Sequence, residues 1–317
     1  MLRRNVLQFA ACAAMTLSFL GLAAPAQAVE LDSLNGRQKP VKVEVPANPQ
    51  RIAVLDMAVL DMLQNWNLLD RVVAMPKTSP VPFLKTAFEM DSIRDVGTLK
   101  EVDMEGLMAS EPDVIFISGR LMKKYDELSR IAPVVYMTVD RTEGSMKSFE
   151  KNLMNVAKLF GKESDAKATV ESFEARIGAI REKSNGATAL VGLVTAAHVN
   201  VLGDSARGSL IGEEFGFKNL AVDAGANHGN EASFELLLKR NPDYFFVLDR
   251  DSAISRPGAK LAKDILENDL VTRMSAYQKD RIVYLTPAAW YLAEGGITAM
   301  DLMFSDVEKA LGIEAAK

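Results

Sequence analysis

Apolar positions in this chain come in two alternating rhythms: short unbroken runs that suit strands, and stripes at helical spacing. Arg51–Asp56 (RIAVLD) reads as a first core strand. Ala58–Leu68, with Leu60, Leu63 and Leu68 on one face, reads as a helix, and Arg71–Met75 returns as a strand. Upstream, Val29–Gln50 is polar and punctuated by Pro46 and Pro49, which predicts an extended lead-in. Pro76, Pro80 and Pro82 mark a loop. Further on, Tyr125–Ile131 is a helix and Val134–Val139 a strand. The alternation predicts a parallel sheet flanked by helices that ends near residue 143.

Ser145–Phe160 carries Phe149, Leu153, Val156 and Phe160 on one face, and Gly161 stops it. A second helix runs from about Ser164 to Lys183, with Ala166, Val170, Phe173, Ile177 and Ile180 spaced 4-3-4-3. At ~1.5 Å per residue it is about 30 Å long, enough to serve as a rod between two lobes or as one more packed helix. After Asn185-Gly186 the pattern restarts. Strands are expected at Ala189–Thr195, His198–Leu202 and Arg281–Tyr284, and helices at Ser209–Phe215, Ala262–Leu266 and Thr298–Leu311.

One stretch occurs twice. Asp103–Arg120 (DMEGLMASEPDVIFISGR) shifted by 130 positions gives Ser233–Arg250 (SFELLLKRNPDYFFVLDR). Identical residues stand at Glu105/Glu235, Leu107/Leu237, Pro112/Pro242, Asp113/Asp243, Phe116/Phe246 and Arg120/Arg250. Each copy has the same physical logic. Asp103 or Ser233 is placed to cap a short helix, the residue before proline leaves the helical region, and a run of apolar residues makes a strand buried on both faces. An arginine then falls just past the strand's C-terminal end, where open α/β sheets bind ligands. Two copies predict two similar lobes, although each arginine alone could equally be a solvated charge at a strand end.

Residues 1–28 stand apart from this pattern. Arg3 and Arg4, the apolar Val6–Leu22 and the small-residue site Ala26-Gln27-Ala28 form a secretory signal with cleavage expected after Ala28, which points to the periplasm. The domain organisation expected is therefore signal 1–28, N-terminal α/β lobe 29–144, helical segment 145–184 with the rod, and C-terminal α/β lobe 185–317. The only cysteine, Cys12, lies in the signal, so the mature chain must be stabilised by its cores and not by disulfides. The signal holds two of the 37 Lys and Arg and none of the 42 Asp and Glu, so the formal charge of −5 becomes −7 on cleavage. That argues against nucleic acid and anionic membrane as partners. An anionic ligand would need a local basic cluster.

Such a cluster has three candidates on loops of similar type: Arg120, Arg250, and Arg207 in GDSARGS. Arginine stays charged and its planar fork suits anionic oxygens. Histidine is scarce, with only His198 and His228. That disfavours a zinc or manganese site of several histidines, whereas Fe(III) accepts phenolate, carboxylate and imidazole. His228 in GANHGN and Tyr291 in PAAWYLAEGG both sit in loops expected on the ligand side of the second lobe; their plainer readings are a surface histidine and a packed aromatic.

With these residues in view, the mature chain resembles the class III periplasmic binding proteins of ABC importers. The likeness is to the receptors for ferric catecholate siderophores of the petrobactin type. It rests on the RIAVLD opening, the paired Pro-Asp strands, the long helix, and the placing of Arg120, Arg207, His228, Arg250 and Tyr291. The resemblance implies two Rossmann-like lobes joined by a single long helix that permits only small lobe rotations. It implies a basic triad, Arg120, Arg207 and Arg250, around catechol oxygens. His228 and Tyr291 would fill iron positions left open by a tetradentate bis-catecholate, with hexadentate ligands tolerated. It implies a monomer with no intrinsic cofactor, carrying a ferric siderophore to an inner-membrane permease dimer on which Glu105 and Glu235 dock. A glutamate in a helix's first turn is also favoured by the helix dipole alone. Charge agrees: Fe(III) with six catecholate oxygens is trianionic and with four is monoanionic. A haem receptor is the alternative, using an axial Tyr or His and arginines for the propionates; cobalamin would leave three converging arginines unexplained. Gly203-Asp204-Ser205 resembles the nucleophile motif of one esterase class, but it falls late in the chain and neither histidine has an aspartate three residues before it. No enzymatic activity is expected.

Overall fold

The computed structural model describes residues 28–221, 224 and 229–314. Residues 28–46, expected to be an extended lead-in, form a hairpin of β1 (Ala28–Leu34) and β2 (Pro40–Pro46). Its turn rests on Asn35, whose Oδ1 accepts from the N–H groups of Arg37 and Lys39. Leu31 and Val45 point inward and are buried. Asn155 pins the hairpin to the first lobe by bonding both the N–H and the carbonyl of Asp32.

The first lobe holds an all-parallel sheet of five strands in the order β5-β4-β3-β6-β7. These are β3 (Ile52–Leu55), β4 (Val72–Met75), β5 (Arg94–Asp95), β6 (Val114–Ile117) and β7 (Val134–Tyr136). The central β3 and β6 are buried along their whole length, as unbroken apolar runs require when helices cover both faces. The second lobe is mixed. β8 (Thr188–Thr195) runs parallel to β10 (Lys218–Asn219) and β12 (Tyr244–Asp249), and β12 to β13 (Ile282–Tyr284). β9 (His198–Val201) and β11 (Asn230–Glu231) add antiparallel strands at one edge.

The repeated stretch behaves alike in both lobes. Asp103 and Ser233 cap their helices by accepting from the N–H of Gly106 and Leu236, contacts worth about 1 kcal/mol each. In each lobe Asp113 or Asp243 then ties the strand start to a neighbour: Asp113 accepts from the N–H groups of Gln50 and Arg51, and Asp243 from the N–H and hydroxyl of Thr188.

One long helix, Glu163–Ser184, joins the lobes after the helix Ser145–Phe160, which ends at Gly161 in the left-handed region (φ 63°). The last helix, Ile297–Ala310, fastens both. Phe304 packs on Phe173 of the joining helix and on Phe215 of the second lobe, with ring centroids 5.1 and 4.8 Å apart. Arg176 of the joining helix makes a two-pronged ion pair with Glu308, both bonds 2.7 Å, and lies 4.9 Å over the Phe304 ring. The N-terminus of this last helix is capped from the other lobe: fully buried Asp61, on the first helix Met57–Asn65, accepts from the N–H of Ala299 at 2.9 Å. The approach requires Gly296, since a Cβ there would lie 2.4 Å from the Asp61 carboxylate.

Burial pushes Asp61 from 3.8 up to about 6, against the pull of its bonds to Ala299, Thr298 and Asn65. A carboxyl raised on folding binds its proton more tightly in the folded chain. Its contribution is therefore full below about pH 4 and disappears as pH rises through about 6, a loss of about 3 kcal/mol. Urea unfolding at stepped pH should show wild type losing roughly that much between about pH 4 and 7 relative to Asp61→Asn. Parallel curves for the two proteins would mean that Asp61 does not titrate in this window.

Candidate functional site

In both sheets the strand order reverses between two central strands: β3 and β6 in the first lobe, β8 and β12 in the second. Chain segments leaving such a point diverge and open a crevice at the strands' C-terminal ends. The two crevices face each other. A cavity of about 310 Å³ lies between them, lined by Asp56, Ser118, Gly119 and Arg120 of the first lobe and by Arg207, Arg250, Tyr291 and Glu294 of the second half of the chain. This volume falls within the range of small-molecule sites.

The structure brings Arg120, Arg207, Arg250 and Tyr291 together. Their guanidinium carbons stand 5.8, 4.8 and 5.6 Å from the centre of the Tyr291 ring. Arg120 Nη2 donates to the Tyr291 carbonyl at 2.8 Å, a bond across the two lobes. Arg207 Nη1 donates to the Trp290 carbonyl at 3.0 Å, and Arg250 Nε to the Tyr291 hydroxyl at 2.8 Å. Arg250 is further held by Thr195 at the end of β8.

Tyr291 closes a short helix, Pro287–Tyr291, whose position is fixed from behind. Asp306 of the last helix accepts from the N–H and hydroxyl of Thr286 and from the indole N–H of Trp290, which is fully buried. Burial pushes the Asp306 carboxyl above its ordinary value, and these three donors oppose the shift.

Two charged residues at the site were not among the sequence candidates. Arg141 donates to Glu294 Oε2 at 2.5 Å, and Arg207 to the same oxygen at 3.0 Å. Arg141 follows β7 as Arg120 follows β6, so the strand-end rule could have found it. Glu294 lies three residues beyond Tyr291, just past the end of its short helix. The Arg207 guanidinium is lowered from the ordinary arginine value, first by burial; Glu294 pulls it back, while Arg141 and Arg120 add to the lowering. Lost hydration likewise pushes Asp56 up, against Val59 N–H, Arg120 and Ala58 N–H.

A second cavity, about 390 Å³, adjoins the first and shares Met137, Thr138, Val139 and Arg141 with it; Ser205 reaches its rim. Beside Ser205, Asp204 accepts from Asn219, so the Gly203-Asp204-Ser205 motif serves to shape the loop that carries Arg207. His198 pairs with Glu231 on the exposed edge of the second sheet, and His228 lies outside the described residues. Glu105 and Glu235 are both exposed, each in the first turn of its helix. The Glu235 carboxyl is lowered by its own backbone N–H and the Ser233 hydroxyl.

Two α/β lobes opposed at their switch points, with cations from both at the seam, define a two-lobed ligand receptor. The chain belongs to the periplasmic binding protein family, whose model matches residues 52–289. It is 35% identical over 272 residues to the petrobactin-binding protein YclQ of Bacillus subtilis, covering 84% of each chain. The YclQ crystal structure superposes with a TM-score of 0.83 at 32% identity, over 90% of this chain and 100% of that one. The periplasmic catecholate-siderophore binding protein VctP of Vibrio cholerae gives 0.81 at 28% identity, over 89% and 100%. The ferric-anguibactin-binding protein FatB of Vibrio anguillarum is 25% identical over 269 residues, 82% of each chain. Among the described residues no helix is long and apolar enough to cross a membrane.

Proposed function

We propose that this protein is a periplasmic siderophore receptor that captures a ferric catecholate between its lobes and delivers it to the permease of an ABC importer. One observation carries the reading: three guanidinium groups from separate loops of both lobes surround a single tyrosine in one cavity. Catecholate oxygens on Fe(III) are anionic, and arginine forks match them in charge and geometry. YclQ and VctP are named for ligands of this chemistry, which supports the same class here.

A tetradentate bis-catecholate is favoured over a hexadentate one. It leaves two iron positions for Tyr291 and His228, and a trivalent cation removes a phenol's proton as metals do for water and thiols. The phenolate would keep the N–H of Arg250, already 2.8 Å from its oxygen. Glu105 and Glu235, exposed on the matched helices, are the residues assigned to permease docking. The protein binds and releases its cargo without transforming it and acts as a monomer.

Intrinsic-fluorescence titration with ferric bis-catecholate, ferric hydroxamate, haem and cobalamin in parallel tests the ligand class: ferric bis-catecholate should saturate the protein, and saturation by haem alone would replace this reading with a haem receptor. Arg207→Ala or Arg250→Ala should weaken the catecholate by roughly thirtyfold or more while leaving the thermal transition in place; unchanged affinity would end the basic-cluster reading. Tyr291→Phe should shift the ligand-to-metal absorption of a bound bis-catecholate and spare that of a hexadentate chelate. An unaltered spectrum removes Tyr291 from the iron. Glu105→Ala with Glu235→Ala should abolish uptake in cells while the purified receptor binds as before, and normal uptake would clear both residues of docking.

A further inference from the structure

Glu294 is an anion built into a site that binds anions. Its side chain is 8% exposed, and one carboxylate oxygen serves two guanidiniums, Arg141 at 2.5 Å and Arg207 at 3.0 Å. Neither arginine is fully used. Their Nε atoms are buried without a hydrogen-bond partner, so each keeps donor capacity that Glu294 does not meet. Arg141 also lines the cavity, as do Lys100, Arg120 and Arg250. The site thus holds more positive charge than the three arginines recognised in the sequence, offset by the Glu294 carboxylate.

We propose that Glu294 determines which ligand charge the pocket accepts, and that Arg141 is a fourth cation of the ligand set whose strength Glu294 adjusts. The proposal rests on the ferric-chelate reading of the cavity. A fixed negative charge beside the ligand raises the energy of a bound anion in proportion to the anion's own charge. It therefore discriminates by net charge and not by shape. With Glu294 in place, a bis-catecholate, counted together with the phenolate charge that Tyr291 gains on binding it, is penalised twice and a trianionic tris-catecholate three times. A carboxylate that served only to clasp the lobes would act on every ligand alike.

The test uses the full mature chain and three synthetic ferric chelates at one ionic strength: a trianionic tris-catecholate, a monoanionic bis-catecholate and a neutral tris-hydroxamate. In Glu294→Gln, which keeps shape and hydrogen bonding, the tris- to bis-catecholate affinity ratio should rise on the order of tenfold or more. Any affinity for the neutral chelate should stay as in wild type. Arg141→Gln removes a cation and should move the same ratio down. A common factor for both anionic chelates, or ratios moving in one direction in the two variants, overturns the assignment while the catecholate reading stands. Failure of wild type to bind either anionic chelate overturns the reading and the assignment together.

Discussion

Guanidinium groups crowded into a sheltered crevice repel one another, and the surrounding structure is organised to hold them there. Water, which would screen the repulsion, is partly displaced by the Tyr291 ring and the cavity walls. In its place stand oriented acceptors: the Trp290 and Tyr291 carbonyls, the Thr195 hydroxyl, and the carboxylates of Glu294 and Asp251. Each arginine is tethered on one side and left with donors on the other. Such pre-organisation is what a tight anion site needs, because donors already aligned lose little freedom when the ligand arrives.

The fold meets this requirement by placing two switch points face to face. Arg120 and Arg250 come from equivalent places in a repeated stretch, so one structural unit used twice supplies cations to both walls. Glu294 and the Tyr291 carbonyl then link the walls directly, since Arg141 and Arg120 reach them from the first lobe. A chain of edge-on and tilted ring contacts through Phe149, Phe173, Phe304 and Phe215 joins the helical segment, the last helix and the second lobe in one apolar core. The same contacts that complete the pocket therefore hold the lobes in register.

What could be read from the chain in advance was whatever depends on local signals. Pro-Asp stops, unbroken apolar runs and a glycine stop located the repeated strands, and the bounds of Ser145–Phe160 and Ala262–Leu266 match those in the structure. Arg120 and Arg250, which meet at Tyr291, were legible because a strand-end position is itself a local property; Arg207 stood out only as a cation in the GDSARGS loop. Pro46 and Pro49 suggest an extended lead-in where the structure has the hairpin of β1 and β2: its turn spans residues 35–39 and is closed by the Asn35 side chain, a contact that no apolar period announces. Two-residue strands such as β5, β10 and β11 are too short to show any period. Arg141 and Glu294 are 153 positions apart, and no periodicity pairs residues across that distance. Nothing in the stripe of Leu60, Leu63 and Leu68 marks Asp61 as buried; its burial depends on the last helix, which lies far along the chain.

That last helix has a bearing on the order of assembly. Asp61 and Ala299 are separated by 238 positions, so until the last helix arrives the carboxylate of the first lobe's opening helix has only its local donor, Asn65 four residues on. A chain growing from its N-terminus cannot complete the early lobe and set it aside while the later one forms. Contacts of such long sequence separation slow folding, and they bind the fate of one lobe to that of the other. For a receptor whose pocket exists only where both lobes meet, a half-built molecule without its last helix has neither a finished core nor a finished site.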